Sequence, residues 1–177
     1  MTLMMTVSDP GWKGRRKHGY PGGRRRFPPK VNPQMIDLRF APYAALLLRV
    51  SLGLLFLAHG LYMKILTFGL AGTMGFFGSL GYPPVLGAVV ALAETAAGIA
   101  LVLGVWTRLA SLLTLPILAG AALLHAGNGW VFSSAGGGWE FPVLWMALML
   151  VQAGLGAGAW ALDVNRLLGR GPSPVAA

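Results

Sequence analysis

The chain has 177 residues, 55% of them hydrophobic and only 11% charged, with a formal net charge of +9 and a mean hydropathy of +0.65. A soluble domain carries about 25% charged residues, so the polar side chains here cannot coat a water-exposed globule, and a soluble basic nucleic-acid binder is ruled out as the leading reading. With no cysteine, the chain itself supplies no disulfide, Cys-ligated zinc, iron–sulfur ligation or thiol redox chemistry, and the redox compartment stays open.

Residues 1–40 hold nine of the fourteen Lys and Arg residues, set among Pro and Gly without apolar periodicity. Such a segment cannot bury enough apolar surface to fold and is expected to be a disordered basic tail. Its charge suits anionic lipid and orientation of the first span better than RNA. Arg24-Arg25-Arg26-Phe27 faintly matches a twin-arginine export signal. The next apolar segment starts too far away, contains Arg49 and leads to no small-residue cleavage site. Met35 offers an alternative start that would remove most of the tail.

Four apolar segments follow, at residues 43–66, 84–105, 109–126 and 141–162. Each is near the ~20 residues that cross a bilayer as a helix. The expected fold is therefore all-α, a four-helix transmembrane bundle over residues 41–163, with 164–177 as a short second tail. Gly104-Val105-Trp106-Thr107-Arg108 is a tight turn that makes spans two and three an antiparallel hairpin. The 67–82 connection, apolar and rich in Gly, reads as a short interfacial helix or re-entrant segment. The 127–139 connection reads as a flexible loop, with Trp130, Phe132 and Trp139 where an interfacial aromatic belt would lie. Gly154 and Gly158 form a small-xxx-small pair for close packing on the fourth span, within the bundle or in a homo-oligomer. Asp163, with Arg166 and Arg170 beyond it, marks the membrane boundary.

An even number of spans places both termini on one side, together with Arg108. That side collects twelve positive charges, and the opposite side has only Lys64 nearby. By the positive-inside rule both termini are cytoplasmic, and the 67–82 and 127–139 connections face the periplasm or cell exterior.

Charges at membrane depth are costly and face other helices or a cavity. At 100° per residue, Arg49, Gly53, Phe56, Gly60 and Lys64 share one stripe of the first span. Gly87, Ala91, Glu94 and Gly98 share a small-residue stripe of the second. Facing these stripes lets Arg49 reach toward Glu94. The pair either neutralises itself and fixes packing, or lines a pocket that holds a quinone head group or relays a proton. Lys64, His125 and Glu140, with His59 a turn deeper, form a second group near the outer surface. A His, a carboxylate and a cation there can exchange protons or hydrogen-bond quinone carbonyls. Singly, Lys64 snorkels and Glu140 caps the fourth helix. Haem ligation by His59 and His125, or zinc on the two His and Glu140, is the weaker reading, and no metal site is expected.

The ordered set of residues resembles the DoxX family of small bacterial membrane proteins. It comprises Leu48-Arg49, Gly53, Phe56, Gly60 and Lys64, then Glu94, Gly98, Leu103-Gly104 and Thr107-Arg108. His125, Gly137-Gly138, Glu140, Gly156, Gly158 and Leu162-Asp163 complete it. Ala161 departs from the serine the family often has before its Leu-Asp ending. The resemblance implies a four-helix membrane bundle, with relatives linked to quinol oxidation and thiosulfate:quinone oxidoreduction, or described as membrane partners of soluble redox or detoxification enzymes. On that basis the chain is expected to be a quinone-facing subunit that is inactive alone. Glu94, His125 and Glu140 are its candidate proton-transfer groups. Arg49, His59 and Lys64 are its candidate quinone-binding groups. The competing readings are a non-catalytic anchor for a soluble redox enzyme and a small transporter, for which tightly packed small-residue helices leave little room.

Overall fold

A computed structural model describes residues 37–162. The expected tail, the Met35 start, and Asp163, Arg166 and Arg170 lie outside the described residues. Those described are helical with connecting turns and contain no strand.

Helix α1 (Ala41–Leu57) starts with Pro42 in its first turn, where a missing N–H costs no hydrogen bond. It runs without interruption into a wider segment, Ala58–Thr67, whose bonds reach back five residues, as in Phe68 N–H to the Met63 carbonyl at 2.9 Å. π-helical stretches are rare and concentrate at functional sites, and this one carries His59, Gly60 and Lys64. The 67–82 connection forms helix α2 (Gly69–Ser79). Helix α3 (Pro84–Leu103) follows. Its end is set by Gly104, whose φ of +77° is open to glycine at little cost. Gly104 N–H to Leu101 O and Val105 N–H to Ala100 O complete a Schellman closure. The third span is split into α4 (Thr107–Leu113) and α5 (Leu115–His125). Pro116 is the physical cause, because it can neither donate an N–H nor sit inside a continuous helix without a clash. Thr114 covers the break by donating its hydroxyl toward Ala110 O and Ser111 O. Helix α6 (Glu140–Leu155) comes last.

The long helices pack in the order α3–α1–α6–α4/α5, with α2 lying on α3 and on the segment that ends the first span. Leu52, Phe56, Leu101, Ala110, Leu118, Trp145 and Met149 form the core. Large apolar side chains also cover the outside, including Leu47, Leu54, Leu92, Leu113, Leu123 and Leu144. Arg49, Glu94, Thr107, Ser111, Thr114 and Gln152 are buried. Leucine outward and polar groups inward is the distribution a hydrocarbon solvent requires.

Ala41–Thr67, Pro84–Leu103 and Thr107–Asn128 are long and apolar enough to span a membrane. The segment expected at 141–162 is helical only over the 16 residues of α6, about 24 Å at 1.5 Å per residue. Its remainder turns at Gly156 and binds across the bundle end, Ala159 N–H to Pro42 O and Leu162 N–H to Leu103 O. Gly158 consequently lies against Pro42 and Ala45 of α1 and does not continue a helical pair with Gly154.

Candidate functional site

The stripes expected to face one another do so. Gly53, Phe56 and Gly60 on the first span, and Gly87, Ala91, Glu94 and Gly98 on α3, are all buried. The backbones approach closely: a Cβ on Gly98 would lie 2.9 Å from Gly53 O, and one on Gly60 would lie 2.8 Å from Thr95 N. These contacts set an antiparallel register in which Gly60 is opposite Glu94 and Gly53 is opposite Gly98 and Val102.

That register corrects the expected Arg49–Glu94 contact. Arg49 is about ten residues from the level of Glu94, roughly 15 Å along the helix. Its guanidinium instead donates to Val102 O at 3.4 Å and Ala159 O at 3.2 Å. It is 1% exposed and sits at the end of the bundle where α3 stops, against Gly104. Arg49 therefore ties three chain segments together and does not line a pocket. The partner of Glu94 is Lys64, with Nζ 2.6 Å from Oε2. Helical side chains lean toward the N-terminus, so Lys64, one turn beyond Gly60, reaches back to the carboxylate.

Beside this ion pair is a cavity of about 400 Å³ between the end of the first span and α2. Its volume falls in the range typical of small-molecule sites. Phe68, Phe76 and Phe77, with Met63 and the open face of Gly72, supply apolar walls, and His59, Lys64 and Thr73 supply polar groups. His59 Nδ1 is 2.9 Å from Leu55 O. A carbonyl only accepts, so Nδ1 is a protonated nitrogen, and the tautomer with a single ring proton leaves the lone pair on Nε2. The ring also sits edge-on to Trp145, centroids 5.1 Å apart. Thr73 donates its hydroxyl to Lys64 O at 2.7 Å, satisfying a carbonyl at the last turn of the first span that lacks an onward helical partner.

His125 and Glu140 do not join this group. No hydrogen bond or ion pair among the described residues links either of them to His59 or Lys64. His125 Nδ1 meets Gly136 O at 3.0 Å, and Glu140 Oε2 accepts from Phe132 N–H at 3.2 Å. Both side chains are engaged by the backbone of the 127–139 connection, so similar depth in the membrane did not bring them to one point. Asn128 donates to Gly136 O and Gly137 O, and Trp130 packs edge-on to Trp139 at 4.3 Å. The connection expected to be a flexible loop is cross-braced. Asn128→Ala should raise amide exchange across 129–138 about tenfold, the loss of roughly one net hydrogen bond, and leave α3 exchange unchanged. Hydrogen exchange with mass detection reads this, and equal exchange in both proteins would assign the bracing elsewhere.

Thr73, Phe68, Phe76 and Phe77 are not among the site residues expected from the sequence, although 67–82 reads there as a short interfacial helix or re-entrant segment. The available signal was the aromatic pair Phe76-Phe77 in a segment already marked as re-entrant. At the centre of the bundle Leu52, Phe56, Leu101 and Met149 are each at most 1% exposed.

The family model described as DoxX matches residues 44–127, which covers α1 to the end of α5 and leaves out α6. A protein of Bacillus subtilis (strain 168) named "Putative oxidoreductase CatD" is 38% identical over 78 residues. That match covers 44% of this chain and 56% of the relative, so the chain spans little more than half of that protein's length. No solved structure matches. The apolar spanning helices, the inward-facing polar stripe and the matched segment agree: residues 44–127 carry a DoxX domain, within a bundle of apolar helices suited to a membrane.

Proposed function

We propose that the chain is the membrane-embedded, quinone-facing subunit of an oxidoreductase system, and that the His59–Lys64–Thr73 cavity receives the quinoid ring. The observation that carries this reading is the cavity: aromatic walls fit a flat ring, and polar groups gathered beside the Lys64–Glu94 pair fit its oxygens. The oxidoreductase name of the Bacillus subtilis relative points the same way. Here His59 and Lys64 contact the ring and Glu94 holds Lys64 in place or takes a proton. Arg49, His125 and Glu140 support the bundle and its loop. A partner redox enzyme supplies or removes the electrons, and homo-oligomers form through the outward leucines.

Gly72 gives a direct test. A Cβ there meets only Phe68 Cβ, at 3.8 Å, so Gly72→Leu fills the cavity without forcing the backbone. In lipid nanodiscs the native protein should bind a short-tailed quinone, and Gly72→Leu should weaken that binding at least about tenfold, the usual effect of blocking a fitted apolar site. Unchanged binding in the variant would remove the ring from this cavity.

The reading includes an inner-membrane location, four crossings and cytoplasmic termini. Support for the fourth crossing comes from the residues after α6, which bind Pro42 and Leu103 at the level where α1 begins and α3 ends. Because the chain has no cysteine, single-cysteine labelling reads orientation without background. In intact cells Ser134→Cys should react with a membrane-impermeant maleimide, and Arg108→Cys should react only after lysis. The reverse pattern would invert the protein. The anchor reading is favoured by one observation: Trp106, 69% exposed, and the exposed Arg108 project from the inner turn. It predicts that substitutions there abolish partner pull-down while cavity variants do not.

A further inference from the structure

The hydrogen-bonding inventory of the cavity goes beyond its shape. Resting on the reading that this cavity holds a quinoid ring, we infer that it selects the hydroxyl-bearing, reduced form over the quinone. Thr73 spends its only proton on Lys64 O, at 2.7 Å, so toward a ligand its oxygen can only accept. His59 directs its Nδ1–H to Leu55 O, at 2.9 Å. In the tautomer that carries this one ring proton, the remaining ring nitrogen, Nε2, likewise accepts. Lys64 has one N–H committed to Glu94 and retains others to donate. The few polar groups on this otherwise apolar lining are therefore two acceptors and one donor.

A hydroquinone hydroxyl donates one bond and accepts another, and can satisfy the lone pair of His59 or Thr73 together with the ammonium of Lys64. A quinone carbonyl only accepts. It satisfies Lys64 but sets its lone pairs against those of Thr73 and His59, leaving acceptors unpaired in an apolar enclosure. Sites built to hydrogen-bond a substrate hydroxyl discriminate strongly against analogues that lack it. The ligand class is an aromatic diol, either a tailed membrane hydroquinone or a tail-less phenolic solute.

The test compares duroquinol with duroquinone, and decyl-ubiquinol with decyl-ubiquinone. Binding is measured anaerobically on the full chain in lipid nanodiscs, against empty nanodiscs. Reduced probes should bind on the order of tenfold more tightly than their oxidised partners, the worth of about one hydrogen bond. A preference in the tailed pair alone identifies a membrane hydroquinone, and one in both pairs a phenolic solute. Thr73→Val and His59→Phe should each bring the ratio toward unity, and Thr73→Ser should keep it. Because the readout is a ratio within one protein, a uniform loss of folded material does not shift it. Equal binding of both forms, tighter quinone binding, or a preference that survives both Thr73→Val and His59→Phe overturns the selectivity and leaves the ring site standing. Failure of every probe to bind overturns the ring site and the selectivity together.

Discussion

Lys64→Met is expected to destabilise the folded protein by about 3 kcal/mol, the usual cost of removing one partner of a buried ion pair. The Glu94 side chain is 8% exposed and that of Lys64 23%, so the orphaned carboxylate has little water to turn to. The pair itself is worth much less than that loss, because both ions were desolvated to form it. The double variant Lys64→Met, Glu94→Leu should therefore recover to within about 1 kcal/mol of the native protein. Reversible unfolding in mixed micelles gives both numbers. If the single substitution costs less than about 1 kcal/mol, as for an exposed pair, the ion pair does not form in the membrane. If the double variant is as unstable as the single, what Lys64 supplies is packing.

The other large effect is expected at the crossing of α1 and α3. A Cβ on Gly98 would lie 2.8 Å from Leu57 Cγ and 2.9 Å from Gly53 O. A side chain can move, but the carbonyl of a helix cannot without moving the helix. Gly98→Leu should force the two helices apart and cost about 3 kcal/mol, at the upper end of overpacking. Gly120→Leu is the matched control, since a Cβ there meets nothing within 4 Å; it should change stability by less than about 0.5 kcal/mol. Equal tolerance of both would mean the crossing is looser than these contacts require. A shift at Gly98 would also displace Glu94 one turn away and disturb Lys64, so the two predictions are coupled and should be measured separately before they are combined.

Much of the fold was legible because it depends on local properties. Hydropathy located the spanning helices to within a few residues, and the 3.6-residue period placed Gly87, Ala91, Glu94 and Gly98 on the one buried face of α3. Gly104 stood where only a left-handed residue closes the helix. The site was less legible. A period of 3.6 assumes α-helical bonding throughout, and it cannot reveal that Ala58–Thr67 winds more widely. The apolar Gly-rich connection reads as a short interfacial helix or re-entrant segment, but that reading does not show that it brings Phe76, Phe77 and Thr73 to Lys64.

His125 and Glu140 show how far depth alone can mislead. Both lie toward the end of the bundle that the alternating spans imply, yet each spends its polar atoms on the loop between α5 and α6. Sharing a level in the membrane constrains one coordinate of three. Side chains of a few ångströms' reach meet only when the other two agree.

The sequence by itself determined that this chain lives in a membrane, which residues of the first span and of α3 face inward, and where α3 turns into the third span. Those are consequences of what each short stretch prefers as a solvent and as a backbone conformation. Only the tertiary structure decided that Glu94 meets Lys64 and not Arg49. Which base reaches a buried acid depends on the axial register of two antiparallel helices. That register is set by glycine backbones in contact at Gly53, Gly60 and Gly98, an interaction between segments more than thirty residues apart that no local pattern encodes.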